Sequence, residues 1–274
     1  MRGIETIDTI SHVDGGKFRA ATRLTLLRRA FVGVVGSRSG SSDRSPASIG
    51  GTMTVAAVIL SATAEGAVAP TLGQPRVRRL VDIAWSGGAL PVVVISPDEE
   101  GVVARALQGS QAIHGLPAPV ELGPAGQMVQ GAELALATVG DTTAVLLWPA
   151  RMTWIGPETI TSLIEAHGMA NATMLRPTWH GDPGWPVLLP TAHLAAMQEI
   201  KADHLPNDVI EALASVIPTR MVEVGDPGII HDADTPLADL PPYEGPPDPP
   251  AGHTHEWGED VEAEAGLPPP DDDF

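Results

Sequence analysis

The 274-residue chain has no cysteine. That excludes a disulfide framework and any thiolate metal site, and without a convincing secretory signal it makes the cytoplasm the expected compartment. Aromatic residues are scarce, at one Tyr, three Phe and six Trp, so a row of stacking platforms for bases is not in view. No apolar run reaches the ~18 residues that a membrane span requires. Positive charge is also short: 16 Lys and Arg stand against 34 Asp and Glu, a net charge of −18. Positions 53–242 carry eight basic and twenty acidic residues, which argues against binding to nucleic acid, because phosphate contacts need clustered Lys and Arg. A free nucleotide held through Mg²⁺ stays open. Neither His-Glu-x-x-His nor Gly-x-Ser-x-Gly occurs, so two common hydrolase patterns are missing.

What is present is a composition that is 43% hydrophobic, enough to bury a core, laid out in three stretches. Positions 1–52 hold eight basic and four acidic residues and end in a Gly/Ser-rich run from Gly36, which reads as a flexible basic extension. Its segment from Ala20 to Ala30 suits a short helix, with a targeting or membrane-surface role as the minor reading. Translation starting at Met53 is the alternative account of this stretch. Positions 243–274 hold ten acids and no base amid proline, the composition of a disordered tail that offers an arm to a protein partner. Within it His253, His255 and Glu256 form a cluster suited at most to weak metal binding.

Between them, 53–242 alternates strand and helix signals and is expected to form one α/β domain: a doubly wound, mostly parallel sheet flanked by helices. Val55-Ala-Ala-Val-Ile-Leu, Pro91-Val-Val-Val-Ile and Ala144-Val-Leu-Leu-Trp are continuous apolar runs, as strands buried on both faces should be. Further strands are expected near Val120, at Thr173–Pro177, at Pro186–Leu189 and at Thr219–Val224. Helices are expected at Arg76–Ser86, Glu99–Leu107, Gly126–Thr138, Pro157–His167, Thr191–Ile200 and Asn207–Val216. In such a sheet the ligand lies beyond the carboxyl ends of the strands, which directs attention to the loops that follow them.

Those loops carry a series of motifs in a telling order. Leu72-Gly-Gln-Pro75 follows the first strand, and Gly123-Pro-Ala-Gly126-Gln opens a helix. Pro149-Ala-Arg151 follows the strand ending in Trp148, Gly181-Asp-Pro-Gly-Trp185-Pro-Val-Leu comes next, and Asp232-Ala-Asp234-Thr-Pro-Leu-Ala-Asp-Leu closes the domain. Together they resemble the MobA-like nucleotidyltransferases, enzymes that attach a nucleotide to a molybdenum-cofactor pterin.

The resemblance implies that the loop Ser61-Ala62-Thr63 and the turn Gly123 to Gly126 meet the nucleotide, and that Trp185 lies over a base or pterin ring or else caps the core. It implies further that Asp232 and Asp234 hold Mg²⁺. Two carboxylates two residues apart suit one cation if the chain there is extended, while Asp234-Thr-Pro also reads as an ordinary helix start. The chain departs from the family at two points. Ser61 to Gly66 lacks the paired glycines and the Arg and Lys of the family loop, and Arg151 stands where the first metal-binding Asp belongs. A cation cannot ligate a metal, but its planar fork of donors can hold an anion. Two functions therefore stay open. One is a Mg²⁺-dependent nucleotidyltransferase acting on an NTP and a phosphorylated acceptor, with Arg151 as a catalytic cation and Arg151 or Arg176 replacing the missing bases. The other is a non-catalytic binding or partner module that keeps the fold.

Overall fold

The computed structural model describes residues 54–245. The chain divides into two units, Met1–Ile49 and Gly50–Phe274, and the first lies outside the described residues. So do most of the acidic tail and its His253/His255/Glu256 cluster.

Strand β1 (Thr54–Leu60) is apolar from Val55 onward because both faces are covered; Ala56 to Ile59 are fully buried. Each such Val or Ile side chain contributes roughly 1.5–3 kcal/mol of burial free energy. β1 lies between β4 (Val92–Ile95) and β6 (Thr142–Pro149), parallel to both, and β5 (Ile113–Gly115) continues the sheet beside β4. On the other side β9 (Val187–Pro190) runs antiparallel to β6 and to β7 (Met174–Trp179), which pairs in parallel with β10 (Thr219–Glu223) and antiparallel with β8 (Asp182–Pro183). The order is β10-β7-β9-β6-β1-β4-β5, with β8 paired to β7 off this path, a mostly parallel sheet in which β9, between β7 and β6, and β8 run antiparallel. A two-residue ribbon, β2 (Pro70–Thr71) with β3 (Gln74–Pro75), is closed by Leu72 and Gly73, both at positive φ.

Helices cover the sheet: α1 (Ala64–Val68), α2 (Arg76–Ser86), α3 (Val102–Ala106), α4 (Gly123–Thr138), α5 (Pro157–Met169), α6 (Leu194–Gln198) and α7 (Pro206–Ala214). Helix α2 buries Val77, Leu80, Val81, Ile83 and Ala84, an i, i+3, i+4 stripe. Helix α4 presses directly on β1: a Cβ at Gly131 would stand 2.2 Å from Val58 Cγ1. No helix among the described residues is long and apolar enough to cross a membrane.

Four expectations need correction. The strand expected near Val120 is a 3₁₀ turn, Val120–Leu122, and the strand lies earlier, at Ile113–Gly115, too short and polar to stand out. The second helix spans Val102–Ala106, because Gly101 takes a left-handed conformation and Asp98 caps the amides of Val103 and Ala104. The helix expected over 191–200 is a 3₁₀ turn, Thr191–His193, running into the five-residue α6. Asp234-Thr-Pro does not begin an α-helix; a single 3₁₀ turn, Leu237–Asp239, follows it.

Candidate functional site

The carboxyl ends of β1, β4 and β6 open into a cleft of about 690 Å³. Leu60, Ile95 and Pro149, at those strand ends, form its floor, and the start of α4 at Gly123 and Pro124 forms one wall. Most of the lining is apolar, and among the described residues none of it is aromatic, so a bound ring would have no aromatic side chain to stack on. Gln127 reaches into it, but its side-chain amide is committed to the backbone of Ala118, accepting from N at 2.8 Å and donating to O at 2.9 Å. Among the described residues, two charged side chains line the cleft, and both are arginines: Arg76 and Arg151.

Ser61, Ala62 and Thr63 also line the cleft. Thr63 caps α1: its hydroxyl accepts from the Gly66 amide at 3.0 Å, and its carbonyl accepts from the Ser61 hydroxyl at 3.0 Å. The cap and the first helical bond thus take up the amides of Gly66 and Ala67, the latter donating to Thr63 O. Gly123 lines the cleft as well, yet its glycine is explained by packing: at φ 59° a Cβ would stand 2.0 Å from the Ala202 carbonyl oxygen. Gly126 does not line the cleft, and a Cβ there would meet Leu122 at 2.3 Å.

Trp185 is removed from the cleft. It is 8% exposed, packed in the core, with its indole Nε1 donating to Asn207 Oδ1 at 3.0 Å, so capping the core is the half of the expectation that describes it. Arg176, offered as an alternative basic group, is buried on β7 and paired with Glu211 at 2.7 Å, outside the cleft lining.

Arg151, Asp232 and Asp234 do converge. The loop after β6 is shaped by Ala150 N donating to Leu60 O, Met152 N to Pro149 O, and the buried Trp148 Nε1 to Met152 O at 2.8 Å. These turn Arg151 outward to the cleft rim. The closing segment is tied to the same loop by the Ala233 amide on Arg151 O at 2.8 Å. It is a turn and not an extended stretch, since Asp234 N donates to Asp232 Oδ1 at 2.9 Å and Thr235 N to Asp232 O. Asp232 Oδ2 accepts from Arg151 Nε at 3.2 Å and from Nη2 at 2.7 Å, while Asp234 Oδ2 accepts from Nη2 at 2.5 Å. One guanidinium therefore faces both carboxylates that the resemblance assigns to Mg²⁺.

The electrostatics follow from this contact. Hydrogen bonds that Arg151 donates to Asp232 and then to Asp234 raise its pKa, with the charges of both carboxylates adding to the effect. Burial pushes Asp232 upward, but the Arg151 hydrogen bond, the Asp234 amide and the charges of Arg151 and Arg76 together outweigh it and hold the carboxyl below the ordinary range. Arg76 is lowered, first by burial and then by repulsion from Arg151, with Asp234 and Asp232 acting the other way. Two arginines and two aspartates thus form one electrically balanced group.

Arg76 is the residue that sequence reasoning missed, having been read only as a helix start. It donates from Nη1 to Gly66 O at 3.2 Å, and its buried Nε has no partner. A signal was present: Arg76, Arg78 and Arg79 crowd the first turn of α2, where the helix dipole disfavours positive charge. Arg78 is paired with Asp82 and Arg79 donates to Thr153 O, which leaves Arg76 as the member that lines the cleft.

A second, more open groove of about 480 Å³ lies between Trp154, the start of α5 and Tyr243. The carboxylate of Asp226 beside it is saturated by Gly156 N, Thr159 Oγ1 and Gly228 N.

Solved structures share this α/β sheet. A manganese complex of Rv0371c from Mycobacterium tuberculosis H37Rv superposes with a TM-score of 0.50 at 17% identity, covering 63% of this chain and 88% of that one. A nucleotidyl transferase from Methanothermobacter does so at 0.51 and 15%, covering 67% and 93%. A 4-diphosphocytidyl-2C-methyl-D-erythritol synthase matches at 0.51 and 15%, covering 68% and 95%. At these identities the likeness is one of fold. No curated protein matches the sequence significantly. The profile of the MobA-like NTP transferase domain matches residues 36–216, and the chain belongs to that family.

Proposed function

We propose that this chain is a member of the nucleotidyltransferase family that binds a phosphorylated small molecule, such as a nucleotide, in the β1/β4/β6 cleft without performing metal-dependent transfer. The observation that supports this reading is the Arg151 guanidinium between Asp232 and Asp234.

Family membership implies an NTP, a molybdopterin-type phosphorylated acceptor and a divalent metal, and the fold neighbour Rv0371c was solved with manganese. The residues present do not fit such an ion. Mg²⁺ takes near-octahedral oxygen ligands, and here the two available carboxylates already balance two guanidinium charges. Among the described residues no group of three His, Cys, Asp or Glu could hold a metal. Nucleotidyl transfer depends on stabilising charge as it develops on phosphate oxygens, and the capped Ser61–Gly66 turn supplies no cation toward it. Binding asks for less: a concave site and cationic donors, both of which the cleft has.

The test is calorimetry on the full chain with GTP, CTP and ATP, each in EDTA and in Mg²⁺, alongside a pyrophosphate-release assay with those nucleotides and a molybdopterin-type acceptor. Binding of at least one nucleotide with no pyrophosphate release is the expected result. Mg²⁺-dependent release would restore the enzyme reading, and no binding of any nucleotide would remove the ligand from the proposal.

A further inference from the structure

The two carboxylates of the closing turn are held very differently. Asp232 is anchored: its Oδ2 takes two donors from Arg151, its Oδ1 takes the Asp234 amide, and its carbonyl takes the Trp154 indole. Asp234 has a side chain 79% exposed, and among the described residues its side chain bonds to Arg151 Nη2 alone. Exposed pairs of that kind contribute little stability and are readily exchanged for a better partner. A phosphate group is such a partner, since it offers several charged oxygens to the planar guanidinium fork.

Arg76 supplies the second, independent observation. It lies within electrostatic range of Arg151, lines the same cleft, and keeps a buried Nε without a partner. An anion that takes the place of Asp234 meets two guanidinium groups, one of which has an unused donor.

We propose that Arg151 is the resident cation of this site in place of a divalent metal, and that Asp234 is a stand-in anion which the phosphate group of an incoming ligand displaces from it. Binding is then independent of metal, uses Arg151 and Arg76 as donors, leaves Asp232 in place to orient the guanidinium, and is opposed by the Asp234 carboxylate. This inference rests on the phosphorylated-ligand reading above and adds to it the identity of the cation and the residue that competes with the ligand.

The two accounts of the carboxylates give opposite signs for one substitution. If Asp234 is a competitor, Asp234→Asn tightens binding; if it is a metal ligand, the same change weakens it. Calorimetric titration of the full chain with GTP and with inorganic pyrophosphate, each in EDTA and in Mg²⁺, reads the sign directly. Asp234→Asn is expected to bind up to about fivefold more tightly than wild type, as loss of an exposed competing ion pair allows. Arg151→Gln and Arg76→Gln are each expected to weaken binding by about tenfold or more, the effect of losing a charge-assisted contact. Mg²⁺ is expected not to improve any of these affinities. Binding that needs Mg²⁺, or an Asp234→Asn affinity equal to or below wild type, overturns the inference while leaving nucleotide binding intact. Absence of binding by wild type and Asp234→Asn alike overturns it together with the proposed function.

Discussion

The indole Nε1 of Trp154 donates to the carbonyl oxygen of Asp232 at 2.9 Å, across 78 positions of sequence, and to Thr235 O at 3.0 Å. This contact, rather than the local sequence around Asp232, sets where the closing turn stands against the loop after β6. Trp154→Phe keeps most of the ring and removes both bonds. It is expected to lower stability by about 1–2 kcal/mol, a few degrees in Tm, and to speed hydrogen exchange at the Ala233 amide, which otherwise donates to Arg151 O. Melting curves and amide exchange by mass spectrometry check both parts; unchanged exchange at Ala233 would mean that the turn is held by something else.

Removing the guanidinium should uncover the carboxylates. Arg151→Asp places a third acid beside Asp232 and Asp234, and the variant is expected to bind Mn²⁺ saturably where wild type does not, with a Kd on the order of micromolar to millimolar. Titration of the full-length variant with Mn²⁺, followed calorimetrically or by paramagnetic resonance, measures this. Equal Mn²⁺ binding by wild type would contradict the view that Arg151 already fills the place of a cation.

His167 gives the fold a pH dependence of its own. It is fully buried on α5, its Nε2 lies 3.2 Å from Thr143 Oγ1, and its Nδ1 has no partner. Burial lowers its pKa from the ordinary value of 6.5. The unfolded chain therefore takes up this proton at higher pH than the folded one, so the stability is fully present above about pH 6.5 and is lost as pH falls below it toward the folded value. His167→Gln is expected to flatten that acid limb in urea melts collected from pH 7.5 to 5, whatever it does to stability at pH 7.5. A variant with the same slope as wild type would place the titration elsewhere.

Asp226 is buried and accepts from Gly156 N, Thr159 Oγ1 and Gly228 N, joining the start of α5 to the closing segment. Asp226→Ala strands three donors and is expected to cost roughly 3 kcal/mol or more. Thermal melts would show this as a loss far larger than that from an exposed acid such as Asp239, where Asp239→Ala serves as the control.

The central strands were legible in the sequence because burial on both faces demands unbroken apolar runs, and Val55–Leu60, Val92–Ile95 and Ala144–Trp148 leave no other reading. Elements near the edge were less so. Ile113-His-Gly joins the sheet only because β4 is there to pair with, and residues 191–200 carry a helical composition that the backbone breaks at the boundary between His193 and Leu194. Residues in the site divide the same way. Arg151, Asp232 and Asp234 were visible as departures from or matches to a motif, whereas Arg76 looked like any first-turn residue until its orphaned Nε and its neighbours were seen together.

What the sequence by itself determined is the class of sheet, the family, and the loss of the glycine- and cation-rich loop after β1, since periodicity and motif order are properties of the chain alone. That Arg151 sits between Asp232 and Asp234 was decided only by the tertiary structure. The contact joins residues about 80 positions apart, and its geometry depends on Trp148 folding one loop, Trp154 holding the other, and a sheet that brings both to one end of β6. Charge alone said that an arginine and two aspartates were available; only their convergence makes the arginine the ion-pair partner of both carboxylates.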